Sequence, residues 1–223
     1  MPAIGCFVFI RYYRTMLGLT KQEEKMLRKL NTPIKIQDFL DTLAISYEKK
    51  GETYMSPRRV LREKKARCLE GAMLAATALW LQGQKPLLLD LRTTAEDEDH
   101  VVTLYRLNGY WGAISKTNHA VLRFRDPIFK TVRELALSYF NEYFMFDTGK
   151  KTLREYSVPI DLSRLGEAWV TAEHEMFEMI SVCDNARHFP LVPKKNAHHL
   201  RKADAIEIRA SDLLEWKRSD PRT

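Results

Sequence analysis

Between Cys68 and Gln82 the sequence offers almost no polar face. Apolar residues fall at Leu69, Met73, Ala76, Leu79 and Trp80, and Ala72, Ala75 and Ala78 fill positions between them. A helix that is apolar nearly all round has to be covered on every side, so this segment is predicted to be central and buried. Gly83 supplies its C-cap. A chain of 223 residues, 45% of them hydrophobic, is long enough to build one domain around such a helix without metals or crosslinks. Its 9 glycines, 9 prolines and 10% aromatic residues exclude collagen-like and wholly disordered classes. The apolar runs Ala3–Ile10 and Ala72–Leu81 fall short of the roughly 20 residues that span a bilayer.

The flanks read as layers around this helix. Thr20 and Glu23 form a capping box for a helix to about Leu30, and Asn31-Thr32-Pro33 stops it. A second helix carries Ile36, Phe39, Leu40 and Leu43 and is expected to end near Lys50-Gly51. Ser56-Pro57 opens a third, over Pro57–Lys64. After the central helix, Leu87–Leu91 reads as a covered strand. His100 then begins a hairpin around Asn108-Gly109, the pair a type I′ turn favours because both central residues need positive φ. Further expectations are a strand over Ala120–Phe124 and a helix capped by Thr131 and Glu134 that carries Tyr139, Phe140 and Tyr143. Asp161 is expected to start a short helix. Glu167–Val182 has helical spacing, Phe189–Lys195 reads as loop, and Ser211–Lys217 as a terminal helix. There is no internal repeat and no linker that would divide the chain.

Three cysteines at irregular spacing, Cys6, Cys68 and Cys183, are no disulfide framework, and a cytoplasmic location follows as the expectation. Cys68 differs from the others in opening a helix, where free N–H groups and the dipole favour a thiolate, with Arg67 before it. The plain alternative is a small apolar core residue. A nucleophilic thiol also needs an imidazole. Of six histidines, His100 is distinguished by opening a strand directly after the acidic run Glu96–Asp99. With a two-residue turn at Asn108-Gly109, cross-strand partners sum to 217. Val102 then faces Ser115 and His100 faces Thr117, which puts His100 and Ser115 on one sheet face. His119, His174, His188, His198 and His199 show no ligand spacing and read as structural or exposed.

The segments Ala66-Arg67-Cys68-Leu69-Glu70-Gly71-Ala72, Pro86–Leu91, Asp99-His100-Val101-Val102 and Gly109–Ser115 together resemble the core of the transglutaminase-like superfamily, relatives of papain-like cysteine peptidases. The resemblance covers about residues 56–126. It implies an α+β fold with a transglutaminase-like/papain-like core, a central helix packed on an antiparallel sheet and flanked by N- and C-terminal helices. It also implies a catalytic Cys68 and His100, with Ser115 where the family pattern has Asp. In a serine-protease triad the loss of that carboxylate costs on the order of 10⁴ in turnover. Asp97, Asp99 and Asp126 are the acids near enough in sequence to replace it. The expected function is a cysteine enzyme acting on an amide or acyl bond of a protein or peptide, by hydrolysis or transfer, without metal or other cofactor. The alternative is a binding or scaffold protein on the same fold.

The net charge of +7 permits a nucleic-acid role, but the basic cluster Arg58–Arg67 comes without a recognisable nucleic-acid motif and reads as a solvated helix face. No membrane partner is expected. Residues 1–19 read as an N-terminal extension to a single domain, residues 20–223, with Met16 a candidate start of translation.

Overall fold

The computed structural model describes residues 16–47 and 53–221. It is a mixed α+β fold with a seven-stranded antiparallel sheet. Helices α1 (Lys21–Lys29), α2 (Pro33–Thr42) and α3 (Pro57–Glu63) precede the central helix α4 (Cys68–Leu81). Strands β1 (Ala44–Ile45) and β2 (Lys65–Ala66) pair in parallel beside them. The main sheet runs β6-β5-β4-β3-β7-β9, with β8 also on β3. Its members are β3 (Leu87–Arg92), β4 (His100–Leu107), β5 (Tyr110–Ile114), β6 (Arg125–Phe129), β7 (Glu155–Ser157), β8 (Ile160–Asp161) and β9 (His188–Pro190). Helix α5 (Val132–Ser138) follows β6, α6 (Phe177–Asp184) precedes β9, and α7 (Ala205–Ser211) lies near the C-terminal end.

Two apolar layers sandwich the sheet. Leu88, Val101, Tyr105 and Ile114 pack with α4, whose residues Ala72, Met73, Ala75, Ala76 and Ala78 are fully buried. Leu89, Leu91, Val102, Leu104 and Ala113 turn the other way, onto Leu135, Ala136 and Tyr139 at α5. That alternation is the two-residue period of a strand covered on both faces. The hairpin has the expected register, Leu107 opposite Tyr110 through Thr103 opposite Ile114, and Asn108 and Gly109 have φ of 50° and 87°.

Elsewhere tertiary pairing overrides local pattern. Helix α2 stops at Thr42 because the backbone N–H groups of Ala44 and Ser46 donate to Lys64 and Ala66; its expected end at Lys50-Gly51 lies outside the described residues. Ala120–Phe124 is a loop, not a strand. The strand begins at Arg125, and its Pro127 is tolerated because β6 is a sheet edge. Helix α5 ends at Ser138, and a 3₁₀ turn over Phe140–Glu142 follows. Asp161 caps the 3₁₀ turn Leu162–Leu165. Only the 3₁₀ turn Ala168–Val170 and α6 form within the helical spacing after Glu167. Strand β9 takes the start of the expected Phe189–Lys195 loop. The terminal helix is Ala205–Ser211, capped by Asp204 with Glu207. Residues 213–215 instead lie beside 118–120, where Ala120 N–H donates to Leu213 and Glu215 N–H to Asn118. Ahead of the Thr20 capping box, Leu17 and Leu19 are already buried in the core. Met1–Thr15 lie outside the described residues.

Candidate active site

Cys68 is the first residue of α4, and Glu70 sets that start. Its carboxylate is wholly buried and accepts from the backbone N–H of Arg67 (2.7 Å) and of Met55 (2.8 Å). Two free donors are thereby satisfied and the entry to the helix is tied to the preceding loop. The half-buried Cys68 sulfur faces the N–H groups of Val101 and Leu69. Burial pushes its thiol up, against the pull of those N–H groups and of Arg67.

Gly71 lets α4 approach the chain leaving β5. A Cβ there would stand 2.5 Å from Lys116 Cβ, while Lys116 Nζ donates to Leu40 (3.0 Å) and Leu43 (2.5 Å) beyond. Gly71→Ala is expected to lose about 1–3 kcal/mol through forced separation of α4 from this segment. Denaturant unfolding with an unchanged m-value checks it.

His100 is buried, 6% exposed, and its Nε2 lies 2.8 Å from Ser115 Oγ. Ser115 Oγ donates to the Leu122 carbonyl at 2.5 Å. Since a carbonyl only accepts, the hydroxyl hydrogen is committed to Leu122. The Ser115 oxygen must then accept from Nε2–H. The neutral imidazole is thereby fixed as the Nε2–H tautomer, with the Nδ1 lone pair unengaged by any hydrogen bond among the described residues. A serine relayed to a carbonyl thus orients the imidazole but supplies no negative charge. Burial accordingly lowers the His100 pKa to about 4, with Leu122 opposing and Arg125 and His119 reinforcing.

The relay is braced from three sides. Gln37 of α2 clamps the Ser115 backbone, accepting from its N–H (2.9 Å) and donating to its carbonyl (2.8 Å). Leu122 holds a left-handed φ of 60°, an unusual conformation for a branched side chain. Its N–H donates to Glu142 Oε2 (2.8 Å), which also receives Arg125 (2.6 Å). Gln37 and Leu122 carry no sequence signal of this role, because one acts through a long-range amide and the other through its backbone.

Cys68, His100 and Ser115 do not form one hydrogen-bonded chain. Cys68 and His100 line the same cleft of about 1230 Å³, and His100 bonds Ser115, but no hydrogen bond joins the sulfur to the ring. The sulfur arrives from the α4 layer and meets the sheet at Val101, whereas His100 and Ser115 follow the alternation of Val102 and Ala113 toward the α5 layer. The acids ahead of His100 turn elsewhere, Asp97 to Thr152 and Asp99 to Thr93. His188, expected to be structural or exposed, has its side chain buried against Asp90, 2.9 Å away. His119 stacks on Phe146. Among the described residues no group of three or more His, Cys, Asp or Glu side chains is placed to hold a metal ion, and no helix is long and apolar enough to cross a membrane. Compared with known proteins, the chain matches no protein-family model and no curated protein.

Proposed function

We propose that the protein is a cysteine enzyme with a transglutaminase-like core, acting in the cytoplasm on an amide or acyl bond of a protein or peptide. The observation that carries this reading is the Leu122–Ser115–His100 relay, which leaves Nδ1 without a hydrogen-bond partner among the described residues, on a residue that lines the same cleft as Cys68. With thiol and imidazole both neutral at rest, the nucleophile forms on demand. His100 Nδ1 takes the thiol proton as Sγ bonds to the carbonyl carbon, and the developing oxyanion draws on the Cys68 backbone N–H at the α4 N-terminus. The proton then passes to the leaving amine as the C–N bond breaks. Water releases the acyl group in a hydrolase, and a second amine does so in a transferase.

The second reading, a binding or scaffold protein, is favoured by one observation: no hydrogen bond joins sulfur and imidazole. Iodoacetamide labelling near neutral pH, followed by peptide mass spectrometry, separates the two. The enzyme reading expects Cys68 to react far faster than buried Cys183, and His100→Gln to slow Cys68 by about tenfold or more, within the range of a lost general base. Ser115→Ala slows it less, because the Leu122 carbonyl also reaches the ring. A Cys68 rate indifferent to His100→Gln leaves the scaffold reading.

A further inference from the structure

The reaction proposed above makes no use of Asp90. This residue is 1% exposed and occupies the face of β3 that Leu88 turns toward α4. A carboxyl buried so deeply requires a partner, and Oδ2 has one in His188 Nε2, 2.9 Å away. His188 Nδ1 lies 2.7 Å from the Ala186 carbonyl and must donate to it. The one remaining proton of the pair therefore sits between Nε2 and Oδ2, whichever atom holds it. Oδ1 is left as a bare acceptor. It has no hydrogen-bond partner among the described residues and is not sealed from solvent, and Asp90 lines the cleft that contains Cys68. Open to the cleft and held by no protein donor among the described residues, Oδ1 can accept from a ligand donor in place of solvent.

The surrounding charge selects the donor's sign. Asp97, Glu98, Asp99 and Asp184 line the same cleft. Four cations, Arg67, Arg92, Lys116 and Arg218, line the cleft against eight carboxylates, and two of them are paired, Arg67 with Glu98 and Arg92 with Glu155, so an excess of negative charge remains. An acid-lined cleft in a chain of net charge +7 concentrates positive ligands where the rest of the molecule repels them. We propose that Asp90 Oδ1 and these acids form a recognition site for a cationic N–H donor, the ammonium or guanidinium group of a basic side chain. That this side chain belongs to the substrate rests on the thiol-enzyme reading; the preference for a cation does not.

Charged methanethiosulfonates test this on the full chain. Cys68 attacks the sulfenyl sulfur, a disulfide forms, and methanesulfinate leaves. Rates at Cys68 are read by mass spectrometry and divided by each reagent's rate with N-acetylcysteine. The 2-aminoethyl reagent is expected to outpace the 2-sulfonatoethyl reagent by about tenfold. The trimethylammonium reagent, carrying charge without an N–H, falls between them. In Asp90→Ala, which removes the acceptor, the ammonium reagent drops to the trimethylammonium rate. Equal rates for the two cations, or an ammonium advantage intact in a folded Asp90→Ala variant, would overturn the site. Should that variant not fold, high salt on the unmodified chain decides. Salt screens the field of the acids, so an ammonium advantage that survives supports the site and one that vanishes overturns it. Cation preference with no His100 dependence of labelling would remove the enzyme and leave the site.

Discussion

Glu70→Ala is expected to lose about 3–5 kcal/mol of stability, because two buried N–H groups lose a charged acceptor together. The N–H groups of Arg67 and Met55 converge on one wholly buried carboxylate, and that of buried Met55 has no solvent to replace the lost oxygen. The damage falls on the first turn of α4, where Cys68 stands. Glu70→Gln keeps the shape and one acceptor oxygen but turns an NH₂ toward the other donor, so about half the loss remains. Denaturant unfolding of the three proteins checks the ranking. A Gln variant as unstable as Ala would mean that shape contributes nothing there, and an Ala variant near the parent would show the helix start to be held by something else.

Acidification is expected to destabilise the fold through His100. Its pKa is about 4 in the folded chain against an ordinary 6.5. Between those values the unfolded chain binds a proton that the folded chain refuses, so stability rises with pH across this window. His100's contribution is complete above pH 6.5 and lost progressively as pH falls toward 4. It amounts to about 3 kcal/mol, at 1.36 kcal/mol for each unit of pKa difference. Unfolding free energies measured from pH 7 to pH 4 should show this fall in the parent chain. His100→Gln should lack it while remaining folded near neutrality. An equal slope in both would assign the acid sensitivity to other groups.

Local signals that need no distant partner were legible in the sequence. The capping boxes at Thr20 and Thr131 both form, and the Asn108-Gly109 turn alone sets the register from which the His100–Ser115 contact follows. The apolar wrap of Cys68–Gln82 requires cover on all sides, and α4 receives it from helices and sheet. Signals failed where a distant backbone supplied the partner. The end of α2 is set by pairing with β2, and the Ala120–Phe124 segment is bent at Leu122 rather than extended. The terminal helix forms over Ala205–Ser211 and not over Ser211–Lys217, because Leu213 and Glu215 exchange backbone hydrogen bonds with Ala120 and Asn118.

The candidate site divides along the same line. That a cysteine opens a buried helix, and that a histidine and a serine share a strand face, follow from spacing, because helix caps and two-residue alternation are short-range geometry. Which tautomer the imidazole adopts depends on a carbonyl at Leu122 that only a folded loop can aim. The Asp90–His188 contact likewise joins residues 98 apart in sequence. Such contacts depend on desolvation and on where the chain returns, and both are properties of the packed molecule rather than of any segment.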